Sequence, residues 1–168
     1  GAHPITMGIA PDNPRIIKKM LLRACAVSDA LIIAGGVSVG DFDYTRGVLA
    51  EMRMKTIFWK VSMKPGKPML FGILPYERKN LPVFGLPGNP LSSLACLELF
   101  VKPALLKMSG ARNTGIWLTG YAGNSAKLEP ERQNFLFCRS SNRNGRFILQ
   151  ILPQGSAKLT TSCRADVL

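Results

Sequence analysis

Lys64-Pro65-Gly66-Lys67-Pro68 and Leu86-Pro87-Gly88-Asn89-Pro90 are two rigid loops, each following a stretch that reads as a β-strand. Proline fixes φ, so such loops lose little freedom when a ligand settles on them. The first loop carries Lys64 and Lys67 and follows Lys60, a concentration of positive charge suited to an oxyanion. Period-two alternation predicts Lys60 and Lys64 on one face near a strand's end, where they repel unless an anion lies between them. Read without the loop, each is a surface lysine. A third loop, Gly35-Gly36-Val37-Ser38-Val39-Gly40-Asp41-Phe42-Asp43, follows an apolar strand. Its glycines suit either an anion cradle of backbone N–H groups or a tight strand-to-helix turn. Asp41 and Asp43 are placed to hold Mg²⁺ bridging to phosphate, or Asp43 caps the next helix and Asp41 is solvated. Asp12, in Asp12-Asn13-Pro14, divides in the same way between catalysis and capping. Pro87 and Pro90 flank Gly88-Asn89 at a helix N-terminus, a natural anion site, and Ser92 in that first turn either donates to a ligand or caps.

Composition limits what these loops serve. The 168 residues are 46% hydrophobic and 19% charged, a globular balance rather than a disordered one. The net charge of +12 comes from basic residues spread along the chain, without the concentrated stripe and interleaved aromatics of a nucleic-acid surface. Four widely separated cysteines without a CxxC pair, and the single His3, argue against a zinc site and point to a reduced, cytoplasmic protein. The start Gly1-Ala2-His3-Pro4 reads as an interior position without a signal peptide. The longest apolar stretch, 91–106, contains Glu98 and Lys102 and is too short to span a bilayer.

The elements that must hold the loops follow from periodicity. Residues 15–27 read as a helix with one apolar face, and 30–34 as a strand buried on both faces of a parallel sheet. Residues 44–52 read as helix, 56–63 as strand, and 69–74 with 82–86 as strands joined by a polar turn. A long helix is expected from Pro90 to about Met108. From residue 111 Asn, Ser, Gly and Arg become frequent, and short alternating runs at 116–121, 134–139 and 146–152 suggest antiparallel strands with turns such as Asn142-Arg143-Asn144-Gly145.

Taken together, and in this order, the three loops resemble the signatures of the molybdopterin molybdotransferases, the bacterial MoeA family related to the gephyrin E domain. The resemblance implies an α/β fold: a three-layer αβα MogA-like molybdopterin-binding domain over 1–110, then a small all-β, barrel-like domain over 111–168. It implies insertion of molybdate into adenylylated molybdopterin with release of AMP, assisted by Mg²⁺. Asp12 and Asp43 match the family's acidic positions and join Lys60 and Lys64 as catalytic residues. Gly35, Gly36, Ser38, Gly40, Lys67, Pro87, Gly88, Asn89, Pro90 and Ser92 become the substrate-binding set, and Asp41 and Asp43 the Mg²⁺ ligands. The family's elongated dimerising region and first sheet strand would precede residue 1, and a final strand would follow Leu168, so homodimerisation is expected through regions outside this segment. Two other functions fit parts of the pattern: a non-catalytic molybdopterin-binding scaffold, and an adenylyltransferase acting one step earlier. The paired proline loops argue against the second.

Overall fold

A computed structural model describes residues 1–36, 44–112, 117–153 and 164–168. Contacts divide these into two compact units, Gly1–Val61 with Lys67–Gly88 and Ser62–Gly66 with Asn89–Leu168, rather than at the expected 110/111 boundary.

The first unit opens with helix α1 (Pro14–Val27). Asn13, not Asp12, caps it: the Asn13 side-chain oxygen accepts from the N–H groups of Arg15 and Ile16 at 3.0 and 3.3 Å. Pro14 fits the first turn because its missing N–H would have had no helical partner there. Strand β1 (Leu31–Ala34), helix α2 (Tyr44–Glu51) and strand β2 (Lys55–Trp59) follow; after β3 (Met63–Lys64), which belongs to the second unit, come β4 (Leu70–Tyr76) and β5 (Lys79–Leu86). The sheet order is β1-β5-β4-β2, and the sheet is mixed. Strands β1 and β5 are parallel, whereas β4 runs antiparallel to both β5 and β2.

Two strand expectations change. Among the described residues β1 has one neighbour and lies at a sheet edge, so Leu31 is buried but Ile32 remains 48% exposed instead of being covered on both sides. Strand β2 ends at Trp59 rather than Met63, because Lys60 takes a left-handed φ of 68°. Between Thr56 and Phe58 its register with β4 shifts, leaving Ile57 as an extra residue. Gly72 opposite makes room for that bulge: a Cβ there would lie 2.8 Å from the Lys55 carbonyl oxygen.

The sheet's faces are distinct. Leu31, Leu70, Leu74, Leu81 and Val83 join Ile17, Leu21 and Cys25 of α1 and Val48 and Leu49 of α2 in one core. The opposite face carries the row Phe58, Phe71 and Phe84, with ring centroids 5.5 and 5.0 Å apart.

In the second unit β3 pairs with β7 (Gln133–Asn134) in parallel. The expected helix 90–108 is helical throughout but changes pitch: α3 (Pro90–Cys96), a π-helical segment Leu97–Val101, and α4 (Lys102–Met108). Pro103 supplies the cause, since it has no N–H and its ring would strike the carbonyl a turn earlier in a regular α-helix. The wider turn lets the Lys102 N–H donate five residues back, to Leu97. Strands β6 (Tyr121–Ala122), β8 (Cys138–Arg143) and β9 (Arg146–Ile151) form a three-stranded sheet in the order β6-β9-β8. The expected run 116–121 contributes only its last residue to β6, and the run 134–139 is divided between β7 and β8. The turn between β8 and β9 is the predicted one, with Asn144 and Gly145 both left-handed (φ 51° and 78°) as a two-residue hairpin turn requires.

Leu49 is fully buried between the helices and the sheet. Leu49→Ala should cost about 2–5 kcal/mol in urea unfolding, through lost transfer energy and a residual cavity.

Candidate functional site

Strand direction decides which loops meet. Because β4 reverses relative to both its neighbours, β1, β5 and β2 all point the same way. Gly35-Gly36 after β1, Pro87-Gly88 after β5, Lys67-Pro68 before β4 and Lys60 after β2 therefore lie along one rim of the first unit, in that order. The Gly35 N–H donates to the Leu86 carbonyl at 3.0 Å. A Cβ on Gly88 would lie 3.8 Å from the Gly35 Cα, so the glycine and proline loops touch backbone to backbone. Gly36 has φ 65°, and a Cβ there would lie 2.7 Å from the Thr45 hydroxyl oxygen; both facts demand glycine. At the other end of the rim the Lys60 and Val61 N–H groups donate to the carbonyls of Met69 and Lys67, each at 2.9 Å. Pro87 is buried, and Lys67, Gly88 and Lys60 are exposed.

Lys60 and Lys64 do not share a strand face. The left-handed Lys60 ends the alternation on which that expectation rested, and Lys64 lies in β3 of the second unit. The Lys64 Nζ pairs at 2.7 Å with Glu129, which also accepts from Arg132 at 3.0 Å. Glu129 is held in turn by Asn134, whose side chain bonds the Glu129 N–H and carbonyl at 3.0 and 2.8 Å. Nothing in the local sequence marks Glu129, since its partner is 65 residues away. Asn89 caps α3, accepting from the Ser92 N–H at 3.3 Å, with Pro90 in the first turn. The Ser92 hydroxyl lies 3.5 Å from the same Asn89 oxygen, so capping by Asn89 is the local role observed there. Asp12 is exposed. Ser38, Gly40, Asp41 and Asp43 lie outside the described residues.

Within the second unit, packing fixes Gly66 of the first proline loop. Gly66 has φ 110°, and a Cβ on it would lie 2.8 Å from the Cys96 sulfur and 2.9 Å from the Met63 methyl. Cys96 is fully buried, and its thiol approaches the Gly66 carbonyl at 3.7 Å. Burial pushes that thiol up to about 12. Burial also raises Cys25, and for Cys138 the Asp166 carboxylate adds to the effect of burial. The three stay protonated near neutrality and act as packing groups rather than nucleophiles. Among the described residues no group of three or more His, Cys, Asp or Glu converges on a metal position, and no helix is long and apolar enough to cross a membrane.

Sequence reasoning missed two groups at the rim, Trp59 and Arg46. The Arg46 guanidinium carbon lies 3.5 Å and the Lys60 Nζ 4.1 Å from the centroid of the Trp59 ring. The Phe-Trp-Lys run was legible, but a half-buried aromatic in a strand usually reads as core.

A family model described as "Probable molybdopterin binding domain" matches residues 1–107, and the chain belongs to that family. It is 40% identical over 111 residues to the molybdopterin molybdenumtransferase of a Nostoc species, covering 66% of this chain and 25% of that protein. The Haemophilus influenzae molybdopterin molybdenumtransferase is 40% identical over 108 residues, covering 64% of this chain and 26% of the relative. The chain thus spans about a quarter of the length of these relatives. The crystal structure of a molybdopterin biosynthesis MoeA protein from Pyrococcus horikoshii matches with a TM-score of 0.71 at 29% identity, over 95% of this chain and 37% of that one. The α/β fold class expected from the sequence is the one found.

Two outcomes test this local architecture. Gly66→Ala should lower stability by roughly 3 kcal/mol in thermal or urea unfolding, from backbone strain and overpacking against Cys96. The Cys96 thiol ionises near 8.5 in an unfolded chain and near 12 in the fold. Its contribution is therefore intact below about pH 8.5 and is lost as pH rises toward 12. Urea unfolding between pH 8 and 11 should show a steeper decline for the unmodified protein than for Cys96→Ala.

Proposed function

We propose that this chain is the sheet and C-terminal part of a molybdopterin molybdotransferase, which inserts molybdate into adenylylated molybdopterin and releases AMP. The observation that carries this reading is the convergence on one rim of the Gly35-Gly36 turn, the Pro87-Gly88 turn, Lys67 and Lys60. Closely approaching glycine backbones beside exposed lysine ammonium groups suit a ligand bearing phosphates and a tetrahedral dianion. The family membership and the molybdenumtransferase relatives support the same chemistry.

In this reading Lys60 supplies a mobile ammonium to the incoming oxyanion, and the rigid glycine and proline turns orient the pterin phosphates against it. Lys64 is already engaged by Glu129, so an oxyanion drawing on Lys64 competes with that carboxylate. Asp12 and Asp43 would serve the phosphoanhydride as acidic groups, and Asp41 with Asp43 would hold Mg²⁺. Asp41 and Asp43 lie outside the described residues. The protein would act in the cytoplasm as a homodimer joined through regions outside this segment.

The deciding experiment measures AMP release from adenylylated molybdopterin by the full-length protein, with and without molybdate. Molybdate-dependent release is expected; tight binding with no release under any condition overturns the transferase in favour of a scaffold. Lys60→Ala and Lys64→Ala should each weaken molybdate binding by roughly 10- to 100-fold, the worth of one charge-assisted hydrogen bond, with unfolding midpoints near that of the unmodified protein. Unchanged affinity in either variant removes that lysine from the site.

A further inference from the structure

The Glu129 carboxylate bridges two cations whose backbone is placed without it. One of its oxygens lies 2.7 Å from the Lys64 Nζ, and the other lies 3.0 Å from an Arg132 guanidinium nitrogen. Both cations therefore reach a single anion, each through a different oxygen. All three residues belong to the second unit. Their backbone is held by other bonds. The Asn134 side chain accepts from the Glu129 N–H at 3.0 Å and donates to the Glu129 and Arg132 carbonyls, each at 2.8 Å. Where β7 pairs with β3, the Gln133 N–H donates to the Ser62 carbonyl at 2.9 Å and the Phe135 N–H to the Lys64 carbonyl at 2.8 Å. These bonds tie the chain around Arg132 to the chain around Lys64, and none of them uses the carboxylate. The Lys64, Glu129 and Arg132 side chains are 51, 41 and 36% exposed, so solvent screens the two ion pairs and each holds weakly. A carboxylate brings one negative charge to two positive ones. A tetrahedral dianion brings two, and likewise offers a pair of oxygens along each edge.

We infer that Lys64 and Arg132 form a two-cation receiver for a tetrahedral dianion, and that the Glu129 carboxylate is its internal competitor, filling the receiver until the dianion displaces it. This rests on the proposed reading of Lys64 as a molybdate-binding residue and adds Arg132 to it. Glu129 touches no substrate in this scheme. It keeps the two cations apart from other anions and lowers the apparent affinity by the fraction of molecules in which it occupies them.

The test measures molybdate affinity of the full-length protein by titration calorimetry. Glu129→Gln should tighten binding about three- to tenfold, because a neutral amide competes poorly for the two cations, at a thermal midpoint near that of the unmodified protein. Added to Glu129→Gln, Arg132→Gln should weaken binding about tenfold, and Arg132→Lys in the same background should recover part of that loss. With the carboxylate already gone, such a loss reports contact with the anion rather than a changed hold on Glu129. Unchanged or weaker binding by Glu129→Gln overturns the competitor role, and so does a clear fall in its midpoint, which makes the carboxylate a structural brace. If Arg132→Gln costs nothing in that background while Lys64→Ala still weakens binding, Arg132 leaves the site and the molybdate reading stands. Unchanged affinity in Lys64→Ala, or no binding by the unmodified and Glu129→Gln proteins alike, overturns both this inference and the reading beneath it.

Discussion

The β4–β5 hairpin sets the geometry of the whole first unit. Its ladder runs without interruption from Tyr76 opposite Lys79 to Leu70 opposite Gly85, closed by the two-residue turn Glu77-Arg78. Side chains alternate at period two, so a slip of one residue would move Leu70, Leu74, Leu81 and Val83 out of the helix-facing core together. The same ladder fixes where the chain leaves the sheet. One closed hairpin thereby holds the Lys67-Pro68 and Pro87-Gly88 turns at a single rim, and the flanking strands bring Gly35 and Lys60 to it.

Rigidity at these turns comes from exclusion more than from added bonds. Gly36, Gly66 and Gly72 each sit where a Cβ would fall within 3 Å of another atom. Neighbouring groups have closed around the missing side chain, so the backbone has little room to move away. The lysines are arranged differently: Lys60 and Lys64 are exposed, and their partners are a ring and a carboxylate that solvent screens. Stiffness thus resides in the backbone turns, and freedom in the charged side chains.

Proline and glycine punctuation made most of this legible. Pro14, Pro90, Asn144-Gly145 and the glycine and proline loops announce their turns locally, and the helices between them follow from apolar spacing. What escaped depends on contacts remote in sequence. The bulge in β2 is permitted by Gly72 on another strand, so Trp59 and Lys60 could not be oriented by alternation alone. Glu129 reaches Lys64 across 65 residues. The choice of Asn13 over Asp12 as cap turns on the residue at which the backbone enters the helix, since either residue type carries a capping oxygen. Chemistry on the rim was legible by residue type, while the identity of the partners was not.

The π-helical segment has a consequence for how this chain tolerates change in length. A regular α-helix from Pro90 to Met108 would keep every side chain in a single angular phase, and the extra residue in the wide turn at Leu97–Val101 breaks that phase. Upstream, Leu91, Ala95 and Cys96 are buried; Val101 is buried at the end of the wide turn. Removing one residue there would restore uniform pitch yet rotate α4 by about one residue's worth of azimuth, roughly 100°. Pro103 would then fall back into conflict with the preceding turn. The segment thus works as a phase joint: it sets the azimuth at which α4, which has no fully buried residue, leaves the buried stretch ending at Val101.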